Sequence, residues 1–201
     1  MTNKLGFYLH SFEIGPHKGD LFRAIQEIRP PVMLVHAWDQ VDQLRRLAPD
    51  SLTIGRMTYF GPEKRPVNDL VNGWLESDDP EARGHDFAEH ILRDNFGMAL
   101  RRENGRLLID AWMSLNEAVP GPASDQYRQQ PGEIERRLRA YDAFQVGFRN
   151  KLSAQGVEAV AFNFGAGNFA SADHYWSFFP RTLATYTYLG FHEYGWPALS
   201  T

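Results

Sequence analysis

Apolar runs of strand length alternate with helix-length segments along the chain, and this alternation limits the fold more than any single residue does. The strand-like runs occupy residues 5–10, 32–36, 52–57, 107–113, 157–162 and 188–192. Each is a short apolar run bounded by Gly, Pro or polar residues, the pattern of a strand in a covered parallel sheet. The intervening segments have helical spacing. Asp20 N-caps a helix with Leu21, Ala24, Ile25 and Ile28 on one face, and Pro30-Pro31 stops it. Val41, Leu44 and Leu47 repeat at helical spacing, a short helix covers 69–75, and a longer one covers 86–96 with Phe87, Ile91 and Leu92 inward. The clearest helix, 132–154, carries the stripe Ile134, Leu138, Tyr141, Phe144, Phe148 and Leu152. An aromatic helical stretch spans 173–186, with a kink expected at Pro180. Strands joined through helices pair in parallel, so the fold class is α/β, in one domain over 1–201.

Two features favour a closed (β/α)8 barrel of the TIM type over an open doubly wound sheet. The loops after the third, fourth and fifth strands are long and carry polar residues, where such a barrel builds its site. Neither Gly-x-Gly-x-x-Gly after the first strand nor Gly-x-x-x-x-Gly-Lys-Ser/Thr anywhere is present. The chain holds six strand–helix units in 201 residues, whereas a complete barrel takes about 250. It therefore reads as an incomplete barrel with about six of eight strands, a fragment or truncated frame. An unclosed barrel leaves two strand edges and an apolar inner flank, which a partner chain or a missing C-terminal segment is expected to cover.

Composition excludes several classes. Twenty-one basic against 25 acidic residues give a net charge of −4, no footprint for nucleic acid or an anionic membrane. The absence of Cys rules out disulfides, zinc-thiolate sites, iron–sulfur clusters and a Cys nucleophile. No signal peptide or membrane-length apolar run is evident, which leaves a cytoplasmic location by default. His85 and His90 stand five apart, the wrong spacing for His-Glu-x-x-His, so no metal site is expected. Arg136, Arg137 and Arg139 interleave with Glu133 and Glu135 as a solvated helix face. No Gly-x-Ser-x-Gly supports a serine hydrolase.

The strongest chemical signal is Asn116-Glu117, at the end of the fourth strand. A carboxylic acid there can protonate a leaving glycosidic oxygen, and an amide beside it can bind a sugar hydroxyl. A polar loop opening is the plain alternative. Asn116-Glu117, together with His192-Glu193-Tyr194-Gly195 at the end of the sixth strand, resembles the motif order of clan A glycoside hydrolases, the retaining barrel glycosidases. The resemblance implies Glu117 as general acid/base, Asn116 as its substrate-orienting neighbour, a carbohydrate substrate and no cofactor. It also implies a second Glu as nucleophile, at the end of a seventh strand. Two readings stay open: His192 and Tyr194 support a nucleophile lying beyond this sequence, or Glu193 is the nucleophile. Strand alternation makes them exclusive, because neighbours on a strand face opposite ways. Further substrate-binding candidates are His10 and His36 at the ends of the first two strands, Arg56 after the third, Asn163 after the fifth, and Trp196 as a sugar platform. The alternative function is a non-catalytic carbohydrate-binding barrel or a degenerate remnant.

Overall fold

The computed structural model describes residues 7–9, 18–36, 40–93, 95–119, 129–165 and 173–191. His10, His192, Glu193, Tyr194 and Trp196 lie outside the described residues. Among those described, six parallel strands form one curled sheet, a half-barrel. They are β1 (Phe7–Leu9), β2 (Val32–Val35), β3 (Leu52–Gly55), β4 (Ala111–Met113), β5 (Glu158–Phe164) and β6 (Tyr188–Phe191). Their order in the sheet is their order in the chain. A doubly wound sheet reverses direction partway, and this one does not. The helices are α1 (Lys18–Ile28), α2 (Val41–Leu47), α3 (Val67–Leu75), α4 (Pro80–Arg93), α5 (Pro131–Ser153) and α6 (Pro180–Thr185).

Burial separates the two faces of the sheet. Met33 and Val35 on β2, and Thr53 and Gly55 on β3, are buried, while the alternating Val32, Leu34, Leu52 and Ile54 are half-buried. Crossovers of one hand put the helices on one side, so the half-buried set lines the concave side. The helix layer is close-packed. Phe87 of α4 stacks on Phe148 of α5 at 5.6 Å, and Trp74 of α3 stacks on Phe144 at 5.8 Å. Gly84 and Gly147 allow the α4–α5 approach: a Cβ on either would lie 1.9 Å from a backbone oxygen of the other helix. The buried Asp142 accepts from the Thr182 backbone N–H (2.8 Å) and hydroxyl (2.6 Å), which caps the start of α6. Pro180 therefore begins a helix where the sequence reads a kink, after a separate 3₁₀ turn over Asp173–Phe178.

Other boundaries move as well. The fourth strand keeps only Ala111–Met113 in the sheet, because Arg106–Leu107 pairs with Arg102–Glu103 in an antiparallel ribbon. Asp110, just before β4, explains the break. Its carboxylate accepts from the Thr53 backbone N–H (2.9 Å), Arg45 (2.7 Å) and Arg106 (3.1 Å). A second ribbon pairs Tyr59–Phe60 with Arg65–Pro66 after β3 and leads into α3.

Candidate active site

Backbone hydrogen bonds place the chemistry-bearing residues on the C-terminal rim of the half-barrel. His36 donates to the Leu9 carbonyl (3.2 Å), Arg56 to that of Val35 (3.1 Å) and Ser114 to that of Val160 (3.2 Å). Each residue thus sits one step past the end of its strand.

The top of β5 departs from regular strand geometry. Phe162 (φ 70°) and Asn163 (φ 49°) adopt the left-handed conformation, and the register slips so that Gly190 faces Phe162 while Phe191 faces Phe164. Asn163 is the extra residue of a β-bulge. Strict alternation from Val160 would send Phe162 to the concave side and Asn163 towards the helices. The bulge reverses both. Phe162 packs with Phe164 (4.8 Å), Phe179 (4.9 Å) and Trp176 (5.6 Å) in the core. Asn163, 2% exposed, turns towards β4, with its Nδ2 3.4 Å from the Leu115 carbonyl and 3.5 Å from Ser114 Oγ. A Cβ on Gly190 would lie 2.2 Å from Asn163 Oδ1, so a larger residue there would displace the Asn163 amide.

Glu117 is also left-handed (φ 49°), and its N–H donates to the Asn163 carbonyl at 3.0 Å. Its side chain is exposed and extends over Gly165, whose Cβ position is 3.3 Å from Glu117 Cδ. Three non-glycine residues in this conformation, at about 1–2 kcal/mol each, meet where β4 and β5 end. Such strain persists only when the surroundings over-determine it. Much of that constraint comes from Tyr141 of α5. Its buried hydroxyl lies 2.7 Å from the Phe162 carbonyl and 3.1 Å from the Leu115 carbonyl, one residue before Asn163 and one before Asn116. Burial pushes the Tyr141 phenol well above its ordinary pKa, so it is a neutral donor.

Two clefts adjoin at Asn116. One, of about 200 Å³, lies between Arg56, Tyr59, the first turn of α3 and Ser114. The other, of about 230 Å³, lies between Asn72, Glu117 and Arg137. The Oδ1 of Asn116 is buried and accepts no hydrogen bond. Arg137 is half-buried rather than part of a solvated face. It donates to the Ala118 carbonyl from Nε (3.2 Å) and Nη2 (3.0 Å), and to Asn72 Oδ1 (2.6 Å). Desolvation lowers its pKa from the usual guanidinium value. It thereby fixes the backbone just after Glu117.

Arg56 Nη1 donates to the Tyr8 hydroxyl (3.1 Å), and that hydroxyl is also hydrogen-bonded to Nε2 of His36 (2.9 Å). Of the sequence candidates, the structure brings Asn116, Glu117 and Asn163 together and sets Arg56 and His36 on the same rim, after the neighbouring strands β3 and β2. His10, Glu193, His192, Tyr194 and Trp196 fall outside the described residues. The sequence reading missed Tyr8, Tyr59, Tyr141 and Arg137. The stripe of α5 names Tyr141 as core, but nothing local signals that its hydroxyl reaches two loops. Among the described residues, no three acidic or His side chains group as a metal site, and no helix is long and apolar enough to cross a membrane. No protein-family model matches this chain, and no curated protein matches it.

Proposed function

We propose that this chain carries the acid/base part of a retaining glycoside hydrolase, in a barrel of the TIM type. The observation that carries the reading is the rim geometry of Asn116 and Glu117. Glu117, four residues past the fourth strand, sits on a strained backbone and reaches towards the end of the fifth. Beside it, Asn116 lines both clefts, and its side-chain amide can meet a sugar hydroxyl. In this mechanism the Glu117 carboxyl gives its proton to the glycosidic oxygen as the C–O bond breaks. A second carboxylate, about 5–5.5 Å away, forms the glycosyl-enzyme. Glu117 then takes a proton from the water that releases the sugar. The second carboxylate is Glu193 or one beyond this sequence, with His192 and Tyr194 in support of the latter.

One observation favours the second reading, a carbohydrate-binding barrel without turnover. Among the described residues lining the two clefts, Glu117 is the single carboxylate. Hydrolysis of a panel of 4-nitrophenyl glycosides separates the two. The hydrolase reading expects turnover that falls at least about 100-fold in Glu117→Gln. Turnover unchanged in that variant contradicts it, and sugar binding with no turnover, both by this chain and by a version extended past Thr201, supports the binding barrel.

A further inference from the structure

We infer that the cleft between Tyr59 and Asn116 receives a sugar bearing a carboxylate, and that Arg56 reads that carboxylate. The inference rests on the carbohydrate reading of the site and names its substrate class. Arg56 is half-buried, and its one side-chain hydrogen bond among the described residues is Nη1 to the Tyr8 hydroxyl, at 3.1 Å. No carboxylate there pairs with it. A guanidinium offers five N–H donors, and a charge partly removed from water needs compensation. The other half-buried guanidinium of the mouth, Arg137, spends its Nε and Nη2 donors on Ala118 and Asn72. Among the described residues, Arg56 has no comparable set of partners.

The cleft itself favours an anion. Among the described residues that line it, none is acidic. The first turn of α3 lines it too, through Val67 and Asn68, although Asp69 in that turn offsets the positive end of the helix. The planar fork of one guanidinium matches a carboxylate in two parallel hydrogen bonds. Other features fit the rest of a sugar. Tyr59, 54% exposed, stands at the lip and offers a flat apolar surface for a pyranose ring. Asn116, which lines the cleft, offers its side-chain amide to a hydroxyl. A neutral sugar would leave Arg56 as it is, whereas a uronate would satisfy it.

The test is NMR titration of the full chain with methyl glucuronide against methyl glucoside, the corresponding galacto pair, and inorganic phosphate. The expected result is at least tenfold tighter binding of one uronide than of its neutral counterpart. Arg56→Ala and Arg56→Gln, both checked for folding by their amide spectra, remove that preference, so that each uronide binds no tighter than its neutral counterpart. Equal affinities in the wild type, or a preference that survives both substitutions, overturn the inference while leaving the carbohydrate reading intact. Phosphate that competes with equal affinity also overturns it, by making the cleft a general anion site. If no sugar binds at all, the carbohydrate reading falls with it.

Discussion

The two ends of the parallel sheet hold their arginines in opposite ways. At the N-terminal end Arg45 is 6% exposed and well partnered. Its Nη2 meets the Asp110 carboxylate (2.7 Å) and the Leu108 carbonyl (2.9 Å), and its Nη1 meets the Ser51 carbonyl (2.7 Å). Asp110 in turn binds the Thr53 N–H and Arg106, so α2, β3 and β4 are tied at one point. At the C-terminal rim Arg56 has one hydroxyl partner, the Asn116 oxygen has none, and three residues sit in left-handed strain. The first end spends most of its polar groups on the fold, Arg45 Nε and Thr53 Oγ1 excepted. The second leaves them open, as expected of the end of a parallel α/β sheet that carries function.

The sharpest way to test this contrast is to unpair one arginine. Asp110→Ala strands the buried charge of Arg45 and is expected to destabilise by about 3–5 kcal/mol. Arg56→Ala on the rim is expected to change stability by less than about 0.5 kcal/mol. Urea denaturation of both variants makes the comparison, and equal losses would erase it.

The next effect is smaller and concerns the link between the ends. Tyr141→Phe removes the hydroxyl shared by the Leu115 and Phe162 carbonyls, at an expected cost of about 1–2 kcal/mol. It also changes the pH dependence. Burial raises the pKa of both Tyr141 and Tyr186 in the folded state. Their contribution is therefore complete below the ordinary phenol value of about 10 and is lost as pH rises above it. The denaturation midpoint of the wild type should fall above that pH, and less steeply in Tyr141→Phe. A midpoint that stays flat there would contradict the buried neutral phenols.

Much of the frame was legible in the alternation of apolar runs. Strand-length Val32–Val35 and the α5 stripe announce themselves because burial on a regular element imposes a regular period. The rim was legible only in part. Asn116-Glu117 and Asn163 stand out as polar residues at strand ends. The bulge that turns Asn163 towards β4, however, depends on Gly190 of the neighbouring strand, 27 positions on, and no local pattern carries it. Arg137 sits among charges that look solvated. It is half-buried because the loop after β4 folds back onto α5. Pairings between distant segments, rather than propensity, decide these positions.

The smallest effect has the opposite sign. Glu117→Gly keeps the N–H that binds the Asn163 carbonyl and relieves a left-handed side-chain clash, so it is expected to stabilise by about 0.5–1 kcal/mol. A loss of stability would show that the Glu117 side chain serves the fold. The same variant provides the most direct measurement of the central claim, its turnover of an aryl glycoside with a good leaving group, with and without sodium azide. If Glu117 is the general acid/base, the vacated space admits azide. Azide then attacks the glycosyl-enzyme, restores turnover and gives a glycosyl azide of retained anomeric configuration. Turnover by Glu117→Gly as fast as the wild type without azide would contradict the account, as would a glycosyl azide of inverted configuration.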